Sequence, residues 1–259
     1  MAARRAGVAV LAVVVLAIAA TLVLFAGSDE ASEPARSRVA PSVLSPEQVS
    51  RTPIRRTAGV PTRGPFGAWL LRPVLLRDRP GGRILRSLGR RTEFGSPRVL
   101  AVVEQRPGWL GVLTNHLPNS RVGWIPATGA DLVYEAYSLH ADLSERTLVV
   151  RRERRVVRRI RVAIGRPGAT TPTGHFAVTD ALVIGGSGSP YGCCALALTG
   201  RQPNVAQGWS GGDRLAVHGT PAERTIGTAA SNGCLRAAEA DMRWLIANVP
   251  LGSPMRIRA

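Results

Sequence analysis

"AVHGTPAERTIGTAASNGCLRAAEADMRWL", residues 216–245, decides how this chain is read. A short apolar strand ends at His218, Gly219, Pro221 and Gly227 punctuate the middle, and Gly233 and Cys234 lead toward a segment from Ala237 to about Asn248. In that segment Met242, Leu245, Ile246 and Val249 recur at helical spacing. A thiol becomes a nucleophile when an imidazole, a helix N-terminus or a cation stabilises its thiolate. Cys234 has a candidate for each: His218, the helix predicted from Ala237 with its unpaired N–H groups, and Arg236. Gly233 supplies freedom for a sharp turn, and backbone N–H groups at such a turn can hold the oxyanion of an acyl-transfer intermediate. Taken singly, a histidine at a strand end is more often structural and a cysteine more often a small buried apolar residue. Together in one stretch they point to acyl transfer.

Around this stretch the sequence is β-rich. "RTLVVRRERRVVRRIRVAIG" carries seven arginines between Arg151 and Arg161, and its apolar residues Leu148, Val150, Val156, Ile160, Val162 and Ile164 mostly keep an even spacing. That predicts a hairpin turning near Glu153 or Arg154 with arginines on its wet face. "GRPGATTPTGHFAVTD" reads as a turn entering a strand, "GGSGSPYGCCALALTG" as a glycine-rich loop running into another, and "PMRIRA" as a last strand. Asp213 lies five residues before His218, so in an unbroken strand their side chains face opposite ways and Asp213 is a poor partner for the imidazole. Cys193 and Cys194 are adjacent, which is poor geometry for joint tetrahedral metal binding. No metal or organic cofactor is expected, and His116, His140 and His175 are expected in ordinary surface roles. Three cysteines leave an odd thiol. Two packed thiols at 193 and 194 are expected rather than a bridge between them, and either arrangement leaves Cys234 free.

Farther upstream, residues 66–133 hold strand-length apolar bursts, "WLLRPVLLRDRPGGRILRSLG", "RVLAVVEQRPGWLGVL" and "SRVGWIPA", separated by Pro-Gly, Gly-Gly and Pro-Asn turns. This is the pattern of a small antiparallel barrel or sandwich, with no catalytic cluster in it. Residues 28–65 are rich in Pro, Ser, Ala and Arg without apolar periodicity, and read as a solvated linker. Before them, Arg4 and Arg5 precede a run without charge from Val8 to Ala26. As a helix it would span roughly 28 Å, close to the thickness of a bilayer's hydrocarbon core. With Asp29, Glu30 and Glu33 beyond it, the positive-inside rule places the N-terminus in the cytoplasm and the rest outside. Residues 1–27 are therefore read as a cytoplasmic N-terminus and transmembrane signal anchor, with secretion as the outcome if the segment is cleaved.

The formal net charge is +17, and all 34 basic residues are arginine. Such an excess implies an anionic neighbour without choosing it. Export argues against nucleic acid and leaves a membrane surface or anionic cell-wall polymers.

At "HGT" (His218–Thr220), Ile226-Gly227 and "SNGCLR" (Ser231–Arg236), with the histidine thirteen positions before the serine, the sequence resembles the YkuD-type L,D-transpeptidases. "TTPTGHF" from Thr170 to Phe176 and the Asp241/Leu245 helix resemble further blocks of that family, over residues 134–259. "GWLGVL" and "VGWIP" resemble, more weakly, bacterial SH3-like domains, in which Trp109 and Trp124 would either pack the sheet or line a ligand groove. The resemblance implies a mainly β protein: a transmembrane helix, an SH3-like barrel at 66–133, then a β-sandwich catalytic domain at 134–259 with one main helix after the cysteine. It implies Cys234 as nucleophile and His218 as base acting on peptidoglycan stem peptides. Ser231, Gly233 and the Cys234 backbone would shape the oxyanion pocket, Gly219 would border the site, Arg236 would hold an acidic group of the donor, and Tyr191 with Gly192 would lie on a substrate-side loop. A backbone carbonyl would orient the histidine. Asn232 departs from the family, which often has histidine there, so His218 must serve as the nearby base. A carboxypeptidase passing the same thioester to water, and a wall-binding protein without catalysis, are the rival functions.

Overall fold

The apolar bursts of residues 66–134 become strands because a pleated chain buries every second side chain on one face. The structure, a computed structural model, describes residues 42–43, 65–184, 188–205 and 212–259. Strand β1 is Ser42–Val43; β2 to β8 are Phe66–Leu70, Val74–Arg77, Ile84–Leu88, Val99–Arg106, Trp109–Leu113, Val122–Pro126 and Ala130–Tyr134. The last seven form one sheet in the order β4-β3-β7-β6-β5-β2-β8, with every neighbouring pair antiparallel. Leu70, Leu76, Leu100, Leu110 and Ile125 fill its core. Trp124 is buried in packing, whereas half-buried Trp109 lies beneath the guanidinium of Arg77, 5.9 Å from the ring centre.

The second half of the chain adds β9 (Tyr137–Asp142), β10 (Thr147–Arg152), β11 (Arg155–Arg161), β12 (Ile164–Gly165), β13 (Gly174–Val183), β14 (Cys194–Arg201), β15 (Arg214–His218), β16 (Ala229–Ser231), β17 (Leu235–Arg236), α1 (Glu239–Asn248) and β18 (Pro254–Arg258). The strands follow the path β11-β10-β9-β18-β13-β14-β15-β17, and β12 and β16 form a small parallel pair. Strand β13 is the corner. Its first residues, Gly174–Ala177, pair with β18, and the stretch from Val178 to Val183 pairs with β14. The two halves of the sheet thereby share one core, in which Leu139, Leu148 and Ile160 from one side meet Leu196, Leu198 and Leu215 from the other, with Met242 and Leu245 of α1. Long β13 and β14 are almost wholly buried, which is why they read as apolar runs rather than alternating ones.

The predicted hairpin is β10–β11, turning through Glu153 and Arg154, both at positive φ. Six of its seven arginines are exposed, and Arg158 turns inward instead, 2.6 Å from Asp241 and over the Trp244 ring. Two expectations are corrected. Ser42 and Val43, in the stretch read as a linker, pair with Val183 and Leu182 of β13. The helix begins at Glu239 instead of Ala237, because Leu235 and Arg236 are drawn into the sheet as β17 beside β15. The apolar run of residues 8–26 lies outside the described residues; among those described, no helix is long and apolar enough to cross a membrane.

Glu135, at the crossing from β8 to β9, is buried. Its carboxyl group is wedged where a side chain at Gly67 or Gly252 would collide with it, and Ser253 Oγ donates a long hydrogen bond to it at 3.5 Å. Burial pushes its pKa up to about 8. The folded chain thus keeps a proton up to that pH, while the unfolded chain loses it near the ordinary carboxyl value, so this group lowers stability as pH rises from about 4.5 to 8. Glu135→Gln is expected to flatten that decline and to exceed the wild type in stability at pH 8 by on the order of 2 kcal/mol, read from urea unfolding at pH 5 and pH 8.

Candidate active site

Two short neighbouring strands carry the backbone of the site. Strand β15 runs parallel to β17 with Val217 opposite Leu235 and His218 opposite Arg236. Residues paired across neighbouring strands share a face, so His218 and Arg236 do, and Cys234 stands in the bend just before β17. The twelve residues between His218 and Ser231 leave the strand as a loop and return, which makes the pairing non-local.

His218 is buried, and its Nδ1 lies 2.6 Å from the carbonyl oxygen of Gly219. Since the carbonyl accepts, Nδ1 carries the hydrogen, and Nε2 keeps the lone pair that a base needs. Burial drives the pKa of His218 down to about 4, opposed by the Gly219 hydrogen bond and assisted by the Arg236 charge. Burial also raises the Cys234 thiol above its ordinary value, against the opposing effects of an Ala216 backbone hydrogen bond and Arg236. The sulfur is turned toward β15, 3.7 Å from the Arg214 carbonyl oxygen to which the thiol donates. At rest both groups are therefore neutral, an uncharged imidazole and an uncharged thiol.

The surrounding turn is fixed by Ser231, which is buried. Its Oγ donates to the Cys234 carbonyl at 2.6 Å and accepts the Gly233 N–H at 3.0 Å. Ser231 Oγ and the Gly233 N–H are bonded to each other, and so fix the shape of the turn. The Cys234 N–H, for which no partner appears among the described residues, is the turn's remaining donor. Gly233 has φ +115°, and a side chain there would strike Gln202, so the position requires glycine on both counts. Gln202 is a residue that sequence reasoning missed. It is buried, donates from Nε2 to the Thr170 carbonyl at 2.7 Å, and thereby ties the "TTPTGHF" block to the cysteine turn. Nothing marks it in the sequence, because its role depends on strands distant along the chain.

Tyr191 is where the substrate-side loop was expected, its ring edge-on to His218 with centroids 5.0 Å apart. Burial and the nearby Cys234 charge both raise its hydroxyl pKa. Its loop is pinned by Glu239, whose Oε2 accepts the Cys193 N–H at 2.9 Å and whose other oxygen fills the space beside Gly192 and Gly219. Gly219 thus borders the site as the histidine's anchor. Arg236 has a buried Nε without a hydrogen-bond partner, and among the described residues no carboxylate pairs with it. Asn232 turns away from the thiol and accepts from Arg166 Nε at 3.1 Å. Asp213 pairs with Arg201.

Two further expectations are corrected. Cys193 and Cys194 form a disulfide with each other, since adjacent residues at the head of β14 place their sulfurs in contact, and Cys234 is the free thiol. The start of α1 lies five residues beyond Cys234, with β17 between, so the helix dipole is not what tunes the thiol. His116 is half-buried rather than on the surface, and burial brings its pKa down to about 4.

Residues 136–257 match the YkuD family model, the L,D-transpeptidase catalytic domain. Two curated relatives, each a putative L,D-transpeptidase YkuD, one from Bacillus subtilis and one from Bacillus licheniformis, are 27% and 28% identical over 121 residues. The match covers 47% of this chain and 65% of each relative, so it spans just under two thirds of their length. Among solved structures, an L,D-transpeptidase from Mycobacterium tuberculosis H37Rv aligns at 20% identity over 53% of this chain and 72% of that one, with a TM-score of 0.41. One from Mycobacterium smegmatis aligns at 18% over 62% and 90%, also at 0.41.

A neutral resting pair predicts how reactivity changes with pH. Because the thiol pKa is raised, its thiolate fraction at neutral pH is small, and alkylation of Cys234 by iodoacetamide is expected to speed up about tenfold per unit between pH 6 and 8. Intact-mass spectrometry of timed samples measures this; a rate flat from pH 5 to 8, the mark of a thiolate–imidazolium pair, would contradict it.

Proposed function

We propose, from the match of residues 136–257 to the YkuD model of the L,D-transpeptidase catalytic domain, that this protein is a cysteine acyltransferase acting on the stem peptides of peptidoglycan. The observation that carries the reading is His218 held in the Nδ1–H tautomer by Gly219 on β15, the strand whose Arg214 carbonyl accepts from Cys234, the one free thiol among the described residues. Cys234 Sγ attacks the carbonyl carbon of diaminopimelate in a tetrapeptide stem, and its proton passes to His218 Nε2. The Cys234 N–H stabilises the oxygen that becomes negative. Collapse breaks the bond to the terminal D-alanine, whose nitrogen takes the proton from His218, and a thioester remains. An amine of a second stem then attacks, a new amide forms, the sulfur–carbon bond breaks and Cys234 recovers its proton. In this reading the product is a 3-3 cross-link in cell-wall biogenesis, Arg236 holds an acidic group of the donor, and Tyr191 shields the base from water. Hydrolysis of the same thioester would make the protein a carboxypeptidase.

The first sheet is read as the SH3-like domain, and the N-terminal run as a membrane anchor that leaves the catalytic domain on the wall side. Contact with anionic wall polymers is supported by Arg146, Arg159 and Arg161, which outnumber the one carboxylate residue, Glu145, lining the same open depression on the outer hairpin.

Incubation of the full chain with a tetrapeptide stem is expected to give an acyl-enzyme at Cys234, free D-alanine and a cross-linked dimer, all visible by mass spectrometry. Cys234→Ala should abolish all three, and His218→Gln should slow acylation at least about 100-fold. Product as free tripeptide alone would favour the carboxypeptidase, and no acylation by stem or carbapenem would leave the non-catalytic wall-binding protein. For the anchor, cells expressing the chain with a C-terminal tag should yield it in the membrane fraction, with the tag open to protease from outside.

A further inference from the structure

The first sheet reaches the active site through one guanidinium. Arg214 opens β15, and its side chain is nearly buried. It forms an ion pair with Glu93, on the loop between β4 and β5 of the first sheet. Its remaining donors go to the Leu198 carbonyl and to Thr179 Oγ1, the latter at 2.7 Å, with Asp180 Oδ2 3.8 Å away. Asp180 is fully buried, and its other oxygen accepts a hydrogen bond from Thr92, the residue beside Glu93. Glu93 also accepts from Asn115 Nδ2 at 3.0 Å. Arg214 and Asp180 from the second sheet thus interlock with Glu93 and Thr92 from the first.

What this anchor holds is the reacting pair. The carbonyl of the same Arg214 accepts the Cys234 thiol, and four residues further along β15, roughly 13 Å away, stands His218. Thiol and base are therefore both referenced to one five-residue strand whose first residue is gripped by the other sheet. The grip extends beyond the charges: the Asn119 side chain pairs with both backbone groups of Arg201 at 2.8 Å, and Ser120 Oγ accepts the His175 N–H at 2.9 Å. A small tilt of β15 moves the thiol and the imidazole relative to the β17 turn, and misplacement of a reacting group by about 1 Å can cost 100-fold in rate.

We propose that Glu93 and Thr92 are positioning residues of the active site, and that the first sheet acts as a clamp that keeps the Cys234–His218 strand in register. The proposal rests on the reading of Cys234 as nucleophile. It gives the N-terminal domain a task in the reaction that requires no ligand of its own.

Saturation kinetics of Cys234 acylation by a carbapenem, followed by intact-mass spectrometry on protein whose native circular dichroism is intact, test it. Glu93→Gln is expected to lower the maximal acylation rate about tenfold with the half-saturating concentration unchanged, and Glu93→Asp to recover it to within about threefold. Glu104→Gln, which breaks only the surface pair with Arg106, is expected to behave as wild type. Should Glu93→Gln fail to fold, Thr92→Val, which removes only the hydroxyl that donates to Asp180, takes its place with the same expected loss. A folded Glu93→Gln or Thr92→Val protein acylated at the wild-type rate would overturn the proposal alone. A wild type that is never acylated would overturn the nucleophile reading, and the proposal with it.

Discussion

The parallel pairing of β15 with β17 is the constraint on which the site depends. Four residues carry it, Val217 opposite Leu235 and His218 opposite Arg236. Because the repeat of side chains along a strand is two, a slip of one residue in this register would send Arg236 to the face opposite His218 and displace the Cys234 turn with it. Buried Val217 and Leu235 resist such a slip, since it would exchange apolar for polar side chains in the core. Both neighbours of the pairing reinforce it: Arg236 exchanges backbone hydrogen bonds with Ala163 at 3.0 and 2.8 Å, and the Ala237 N–H bonds to the His218 carbonyl.

Burial at this pairing sets the chemistry as well as the geometry. A thiol and an imidazole removed from water both favour their neutral forms, and Arg236 affects them in opposite ways, since a cation eases ionisation of the thiol and opposes protonation of the ring. The site therefore does not hold a permanent ion pair. It holds an imidazole with its tautomer fixed and a thiol in its neutral form. The vicinal disulfide leaves no second thiol among the described residues to compete with it.

The two sheets keep separate apolar cores, yet meet through polar contacts that are partly buried. Arg214, Asp180 and Glu93 each lose hydration there, and such an arrangement stabilises only where the geometry is complete, because a lone buried charge is costly. That requirement makes the junction selective about alignment in a way that apolar packing is not. Glu135 adds a buried carboxyl at the same crossing, neutral at ordinary pH.

Much of this was legible in the sequence. The "HG…SNGC" spacing named Cys234 and His218, the even apolar spacing predicted the β10–β11 hairpin and its turn, and Tyr191 was placed beside the site; these are local patterns, and local patterns survive in one dimension. The helix start was misjudged by two residues because Leu235 and Arg236 carry no local sign that a distant strand will recruit them. How Ser231 and Gly233 fix the cysteine turn was not legible, since which donor meets which acceptor is settled only when the turn closes. Gln202, Glu239 and Glu93 were invisible for the same reason: their partners lie 32, 46 and 121 residues away. The sequence by itself determined which residue types stand close along the chain. The tertiary structure alone decided what holds them, because burial and hydrogen-bond pairing are properties of neighbours in space.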